Sequence, residues 1–103
     1  KYIHLNYKNP QLSLTELADQ FGLAPAYISQ LFKEKTKKNF TTYLEQIRIE
    51  EACKLLLKGM PVNQVAQEVG YNSVYVFRRA FKRTQGMLPS EYKSSINIKE
   101  SII

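Results

Sequence analysis

Hydrophobic positions along this chain recur at intervals of three and four, in segments that Gly and Pro separate. Leu14, Leu17, Ala18 and Phe21 fall on one face of a helix running to about Phe21. Ser13-Leu14-Thr15-Glu16 forms a capping box at its start, and Gly22 supplies the left-handed residue that ends it. Pro25 suits the first position of a following helix, which is expected to bury Ile28, Leu31 and Phe32. Ala26, Tyr27, Ser29, Gln30 and Lys33 then face elsewhere, making this helix a candidate reader. Upstream, Ile3 and Tyr7 lie four apart and read as the last turns of a helix that Asn9-Pro10 stops.

A longer apolar pattern runs from about Thr41 to Leu57 through Leu44, Ile47, Ala52, Leu55 and Leu56, and Gly59 with Pro61 closes it. Sixteen helical residues make a rod of roughly 24 Å. Beyond the rod the first pattern returns. Leu17-Ala18, Gly22, Phe32-Lys33 and Tyr43 are echoed by Val65-Ala66, Gly70, Phe81-Lys82 and Tyr92, about 48 residues later. The expected elements are a short helix from Val62 to Val69, a stop at Gly70, and a second reader from Ser73 to about Thr84 capped by Asn72. Its buried side is expected at Val76 or nearby, Phe77, Ala80 and Phe81. Pro89-Ser90-Glu91-Tyr92 opens a last short helix, and Ser94 onward shows no clear period.

The pattern therefore predicts an all-α fold of about seven helices, in which a long central helix joins two helix-turn-helix subdomains. The divisions are 1–40 for the first unit, 41–58 for the linker, 59–93 for the second unit and 94–103 for a tail. A helix ending at a Gly, a short turn and a second helix rich in basic and polar groups is how a protein seats a helix in the major groove of DNA.

Composition narrows the partner. The chain has 103 residues, 44% of them hydrophobic, enough for one compact domain or two small fused ones. A net charge of +6 and a pI near 9.5 suit a polyanion. A membrane surface is disfavoured, because the longest aliphatic run is Leu55-Leu56-Leu57 and no continuous basic amphipathic helix appears. A single Cys forms no internal disulfide, which fits the reducing cytoplasm. Lys1 is neither an initiator Met nor part of a signal peptide, so the chain reads as a fragment of a longer protein.

The run Leu14 to Lys33, then Phe40-Thr41-Thr42-Tyr43-Leu44, Arg48-Ile49-Glu50-Glu51-Ala52, Gly70-Tyr71-Asn72-Ser73 to Phe77, Phe81-Lys82, Gly86 and Pro89-Ser90-Glu91-Tyr92-Lys93 resembles the AraC/XylS family DNA-binding domain. The resemblance covers nearly the whole chain. Ile3, Tyr7 and the run Tyr27 to Lys33 are similar to the output domains of two-component response regulators of Gram-positive bacteria. Such a domain is normally the C-terminal part of a regulator whose N-terminal part senses a sugar, a small molecule or a phosphoryl signal. The resemblance implies sequence-specific binding to double-stranded DNA and a cytoplasmic transcription regulator, activator or repressor, with RNA polymerase as the second partner an activator would need. The fragment alone, without its sensor or receiver domain, is expected to be monomeric.

The resemblance also implies roles by position. In the first reader Ala26, Ser29 and Gln30 match positions that face base edges, and in the second Val74, Tyr75, Arg78 and Arg79 do. Gln30 carries the amide pair that suits adenine, Arg78 the fork that suits guanine, and Ala26 and Val74 the methyls that pack on thymine. Arg79 is as well suited to a phosphate or an ion pair. Lys33, Lys35, Lys37, Lys38, Lys82 and Arg83 read as phosphate contacts, with solvated surface charge as the alternative for each. Three positions depart from the family pattern. Lys37 stands opposite Gly86, where a left-handed residue usually ends the helix; Ala24 replaces a capping Ser, and Leu88 a Thr or Ser.

The remaining chemistry is sparse. One histidine, His4, assembles neither a metal site nor a Ser-His-Asp arrangement, and no nucleophile, base and orienter set or phosphate loop appears. No enzyme, cofactor or metal is therefore expected. Cys53 reads as a small buried hydrophobe, Arg48 as an ion-pair partner near Glu51 or Ala52 on the rod, and the aromatics as core. Two other classes compete with specific DNA binding: a weakly specific architectural DNA binder held by charge, and an interaction module contacting RNA polymerase without DNA.

Overall fold

The computed structural model describes residues 1–102, the side chains of Asn97 and Glu100 aside; Ile103, the last residue of the expected tail, lies outside it. Seven α-helices follow one another: α1 (Tyr2–Asn6), α2 (Leu14–Phe21), α3 (Pro25–Thr36), α4 (Phe40–Leu57), α5 (Val62–Glu68), α6 (Val74–Gln85) and α7 (Pro89–Ile102). The all-α expectation holds, and so does the division into two similar helix pairs along one long helix.

The helix boundaries follow from local chemistry. Ser13 Oγ accepts from the Glu16 amide at 3.1 Å, and Asn39 Oδ1 accepts from the Thr42 amide at 2.8 Å, capping α2 and α4. Gly22 ends α2 at φ +65° with its amide on the Ala18 and Asp19 carbonyls, as its sequence position predicts. Helix α6 is capped one residue later than expected. Ser73, not Asn72, supplies the oxygen that accepts from the Val76 amide. At α7 the missing hydroxyl of Leu88 is replaced from the other side, because the Glu91 carboxylate accepts from the Leu88 amide at 2.8 Å. That helix does not stop near Tyr92; it continues through the segment expected to be a tail, to Ile102.

Two hydrophobic clusters divide the interior. The first gathers Ile3, Leu12, Leu17, Ala18, Ile28, Phe40, Leu44 and Ile47 from α1 to the first half of α4. The second gathers Ile49, Ala52, Leu56, Val65, Ala66, Val69, Phe77, Ala80 and Phe81. The long helix α4 thus serves both, contributing Leu44 and Ile47 to one and Ala52 and Leu56 to the other. Because its buried positions drift around the helix along its length, the two units grip different stretches and different sides of one rod. Its eighteen residues span about 27 Å at 1.5 Å each. Phe77, Ala80 and Phe81 are buried as expected, but Val76 is 46% exposed, one position too far around α6. Phe21 is likewise exposed at the end of α2, where it meets the Tyr2 ring edge-on with centroids 5.2 Å apart.

Lys37 does adopt the left-handed conformation that its register with Gly86 implies, at φ +63°. It is the only non-glycine residue of positive φ among the described residues. A Cβ there costs about 1 kcal/mol or more. Lys37→Gly is therefore expected to raise the stability of the chain by about 0.5 to 1 kcal/mol, the gain being reduced by glycine's larger unfolded-state entropy. A higher thermal midpoint checks this, and an unchanged or lower one would show that the backbone is relaxed there.

Candidate nucleic-acid interface

The two candidate reader helices are built alike. Helices α3 and α6 each have twelve residues, begin 49 residues apart, and end on left-handed residues, Lys37 and Gly86, that are also 49 apart. Ala26, Ser29, Gln30 and Lys33 on α3 thereby correspond to Tyr75, Arg78, Arg79 and Lys82 on α6. Each set has the spacing i, i+3, i+4, i+7 that aligns side chains along one helix face. On the opposite face, Ile28 anchors α3 in the first cluster, while Phe77, Ala80 and Phe81 anchor α6 in the second.

Most of the outward stripe is open to solvent. Ala26, Gln30, Tyr75, Arg78 and Arg79 are exposed, Tyr75 by 72%. Ser29 is half-buried, and Val74 is half-buried against the second cluster at the start of α6. The Gln30 amide donates to the Glu34 carboxylate at 3.3 Å, one turn along α3. Lys33, Lys35, Lys37 and Lys82 are exposed, and among the described residues they, Arg78 and Arg79 form no salt bridge. Helix α6 contains four basic residues and no acidic one. An unneutralised basic stripe beside a row of small and polar groups offers phosphates a counter-charge and base edges a partner.

Two of the expected phosphate contacts are already engaged within the protein. Arg83 pairs with Glu45 of α4, and Lys38 donates to the Gln46 side chain. The first ties the end of α6 to α4, and the second ties the turn after α3 to it. Arg48 departs furthest from its sequence reading. It pairs with no carboxylate; its Nε and Nη2 donate to the Tyr7 and Asn9 carbonyls, each at 2.9 Å. Its guanidinium lies over the Tyr71 ring, 5.4 Å from the centroid. Burial lowers the Arg48 pKa and pushes the Tyr71 hydroxyl up to about 12, with Glu45 adding to the rise and Arg48 and Arg83 opposing it. The sequence carried one clue to this, a charge set directly between two isoleucines, Ile47 and Ile49, both of them buried.

Other residues stand where their chemistry suggested. Cys53 is half-buried against the second cluster, and burial raises its thiol pKa, with a hydrogen bond to Tyr92 opposing the rise. His4 is exposed on α1. Phe32 packs edge-on against Phe40 and Tyr43, and Phe81 against Phe77 and Tyr92, so these aromatics hold the cores together. Among the described residues no group of His, Cys, Asp and Glu could hold a metal ion, and no helix is long and apolar enough to cross a membrane.

A family model described as a helix-turn-helix domain matches residues 17–95, from within α2 to within α7. The chain belongs to the AraC-type helix-turn-helix family. It is similar to the C-terminal domain of AraT, a response regulator from Geobacillus stearothermophilus, with 32% identity and a TM-score of 0.89 over 91% of this chain and 78% of that one. It is similar also to the C-terminal domain of the two-component response regulator yesN from Fusobacterium nucleatum, with 31% identity and a TM-score of 0.86 over 89% and 90% of the two chains. Among curated relatives, the transcriptional regulatory protein YesN of Bacillus subtilis is 36% identical over 82% of this chain and 24% of its own length. The arabinose operon regulatory protein of Escherichia coli is 30% identical over 96% of this chain and 34% of its own length. The chain therefore spans about a quarter to a third of these two relatives, and what it shares with the family is the AraC-type DNA-binding domain.

Proposed function

We propose that this AraC-type domain binds double-stranded DNA in a sequence-specific way, with α3 and α6 reading successive major-groove segments. The observation that carries the reading is the matched outward stripe of the two helices, Ala26, Ser29, Gln30 and Lys33 against Tyr75, Arg78, Arg79 and Lys82, on elements of equal length. In this proposal the two helices enter the groove about 34 Å apart, one turn of DNA. In this proposal Ala26, Ser29, Gln30, Val74, Tyr75, Arg78 and Arg79 face base edges, while Lys33, Lys35, Lys37 and Lys82 hold phosphates. Lys38 and Arg83 stabilise the turn and the helix end through their internal partners, and their remaining N–H donors are what they offer a phosphate. Residues 1–40 and 59–93 act as two reading units on the linker 41–58. In this proposal the domain is the DNA-binding output of a longer transcription regulator, a reading supported by its likeness to the C-terminal domains of two response regulators, AraT and yesN.

Selection of bound duplexes from a random library at two salt concentrations tests the proposal. Two short enriched blocks one helical turn apart support it, whereas binding without enrichment that salt steeply abolishes favours the architectural reading. Substitution separates the two kinds of contact. Arg78→Ala is expected to cost about 1 to 3 kcal/mol on the selected site and to relax preference at one base pair. Lys82→Ala should weaken all sequences alike and reduce the salt dependence by about one counterion. Equal losses on selected and random DNA for Arg78→Ala would remove that residue from base reading.

A further inference from the structure

Three segments remote in sequence meet at Arg48, halfway along α4. From the first unit, the Tyr7 and Asn9 carbonyls accept from the guanidinium, at sequence separations of 41 and 39 residues. From the second unit comes the turn Gly70-Tyr71, with the Tyr71 ring against the guanidinium face. Gly70 comes so close that a Cβ on it would lie 2.5 Å from the Tyr7 carbonyl oxygen and 2.9 Å from Arg48 Nε. Tyr7 packs against both hydrophobic clusters. One turn earlier on α4, Glu45 pairs with Arg83 at the end of reader α6. The two units thus touch through a polar junction built around one side chain.

We propose that Arg48 is a positioning residue that fixes the angle between the two readers and thereby sets the spacing of DNA half-sites the domain accepts. Burying a guanidinium without a carboxylate is costly, and a well-packed apolar residue of similar length would fill the space at least as favourably. What Arg48 adds is direction. A planar fork with two bonds to carbonyls and a stacked face holds three segments in one orientation, which an apolar side chain or a single ammonium does not. Each unit has its own core cluster, so loosening the junction leaves each reader folded and frees their mutual angle. On bipartite DNA, a freer angle weakens binding at the best spacing and strengthens tolerance of the others, because the second reader's effective concentration falls and its reach widens.

The proposal rests on the tandem-reader reading above, and the test separates the two. Affinities of the full 103-residue chain and of Arg48→Met are measured on duplexes with one half-site, and with two half-sites whose spacing is stepped one base pair at a time. The wild-type chain should show a sharp optimum. Arg48→Met should bind a single half-site within about twofold of wild type, lose about tenfold at the optimum and show a flattened spacing profile. An equally sharp optimum in Arg48→Met overturns the positioning role. A wild-type chain without any optimum overturns tandem reading instead, and the geometric half is then judged without DNA. For that, spin labels are placed at Gln20→Cys and Gln67→Cys, exposed positions on α2 and α5, in a Cys53→Ser background. The distance distribution should be narrow with Arg48 and broad with Met; a distribution that stays narrow overturns the proposal. If Arg48→Met does not fold, Tyr71→Leu, which removes the stacked face and the ring's contact with Phe77 but keeps both carbonyl bonds of Arg48, should show the same broadening and flattening to a smaller degree, and a wild-type width and profile there overturns it.

Discussion

Phe81→Ala is expected to destabilise the domain by about 3 to 5 kcal/mol. The Phe81 ring is fully buried in the second cluster, with the Phe77 ring 5.8 Å and the Tyr92 ring 5.4 Å away, both near edge-on. Truncation removes its transfer free energy and leaves a cavity walled by α6 and α7 that two other aromatic rings cannot close without leaving their rotamers. Against a whole-domain stability of about 5 to 15 kcal/mol, this is a large fraction. The loss has a functional direction. Phe77, Ala80 and Phe81 anchor the face of α6 opposite Tyr75, Arg78 and Arg79, so α6 should be disordered before α3. Urea titration followed by circular dichroism gives the stability change. A loss under about 1 kcal/mol would mean the ring is not held as described.

Gly70→Ala ranks beside it, with an expected cost of about 2 to 5 kcal/mol from two additive sources. Gly70 sits at φ +100°, where any side chain is strained, at about 1 to 2 kcal/mol. In addition, a methyl group would collide with the Tyr7 carbonyl oxygen, which is backbone, and with Arg48 Nε, which is held by its own bond to the same carbonyl. Overpacking of this kind costs a further 1 to 3 kcal/mol or so. Gly22 and Gly86 supply the control. Both have positive φ, and a Cβ on either meets nothing within 4 Å. Gly22→Ala should therefore show the backbone strain alone. Thermal or urea unfolding of the two variants side by side measures the difference, and equal losses would remove the close approach at Gly70 from the account.

The positions of the two glycines in the repeat are equivalent, yet their surroundings differ. The sequence pattern marks both as helix stops, and both are left-handed. Only the packing of the second unit against the Tyr7 segment turns Gly70 into a residue that must lack a side chain. Arg48 shows the same thing from the other side. Its neighbours on the rod are Glu51 and Ala52, and a sequence reading looks for its partner there; the actual acceptors are backbone carbonyls some forty residues away, and no side-chain type announces a carbonyl.

What the amino-acid sequence determined by itself was local and repetitive. The helical periods, the caps at Ser13 and Gly22, the strain at Lys37 and the doubled unit follow from residue types at fixed short spacings, because propensity and capping act within one or two turns. The outward stripes of α3 and α6 were legible for the same reason, since a helix with one apolar face leaves the other free. Small errors of phase, such as Val76 for a buried position and Asn72 for the cap, arose where neighbouring residues are chemically interchangeable and tertiary packing chooses between them. The extension of α7 to Ile102, without a strong period, also lies beyond local pattern. Only the tertiary structure decided how the two units meet. The contacts of Arg48, Gly70 and Tyr71 with Tyr7 and Asn9 join segments that local propensity treats as independent, and their geometry depends on where both core clusters seat on one shared helix.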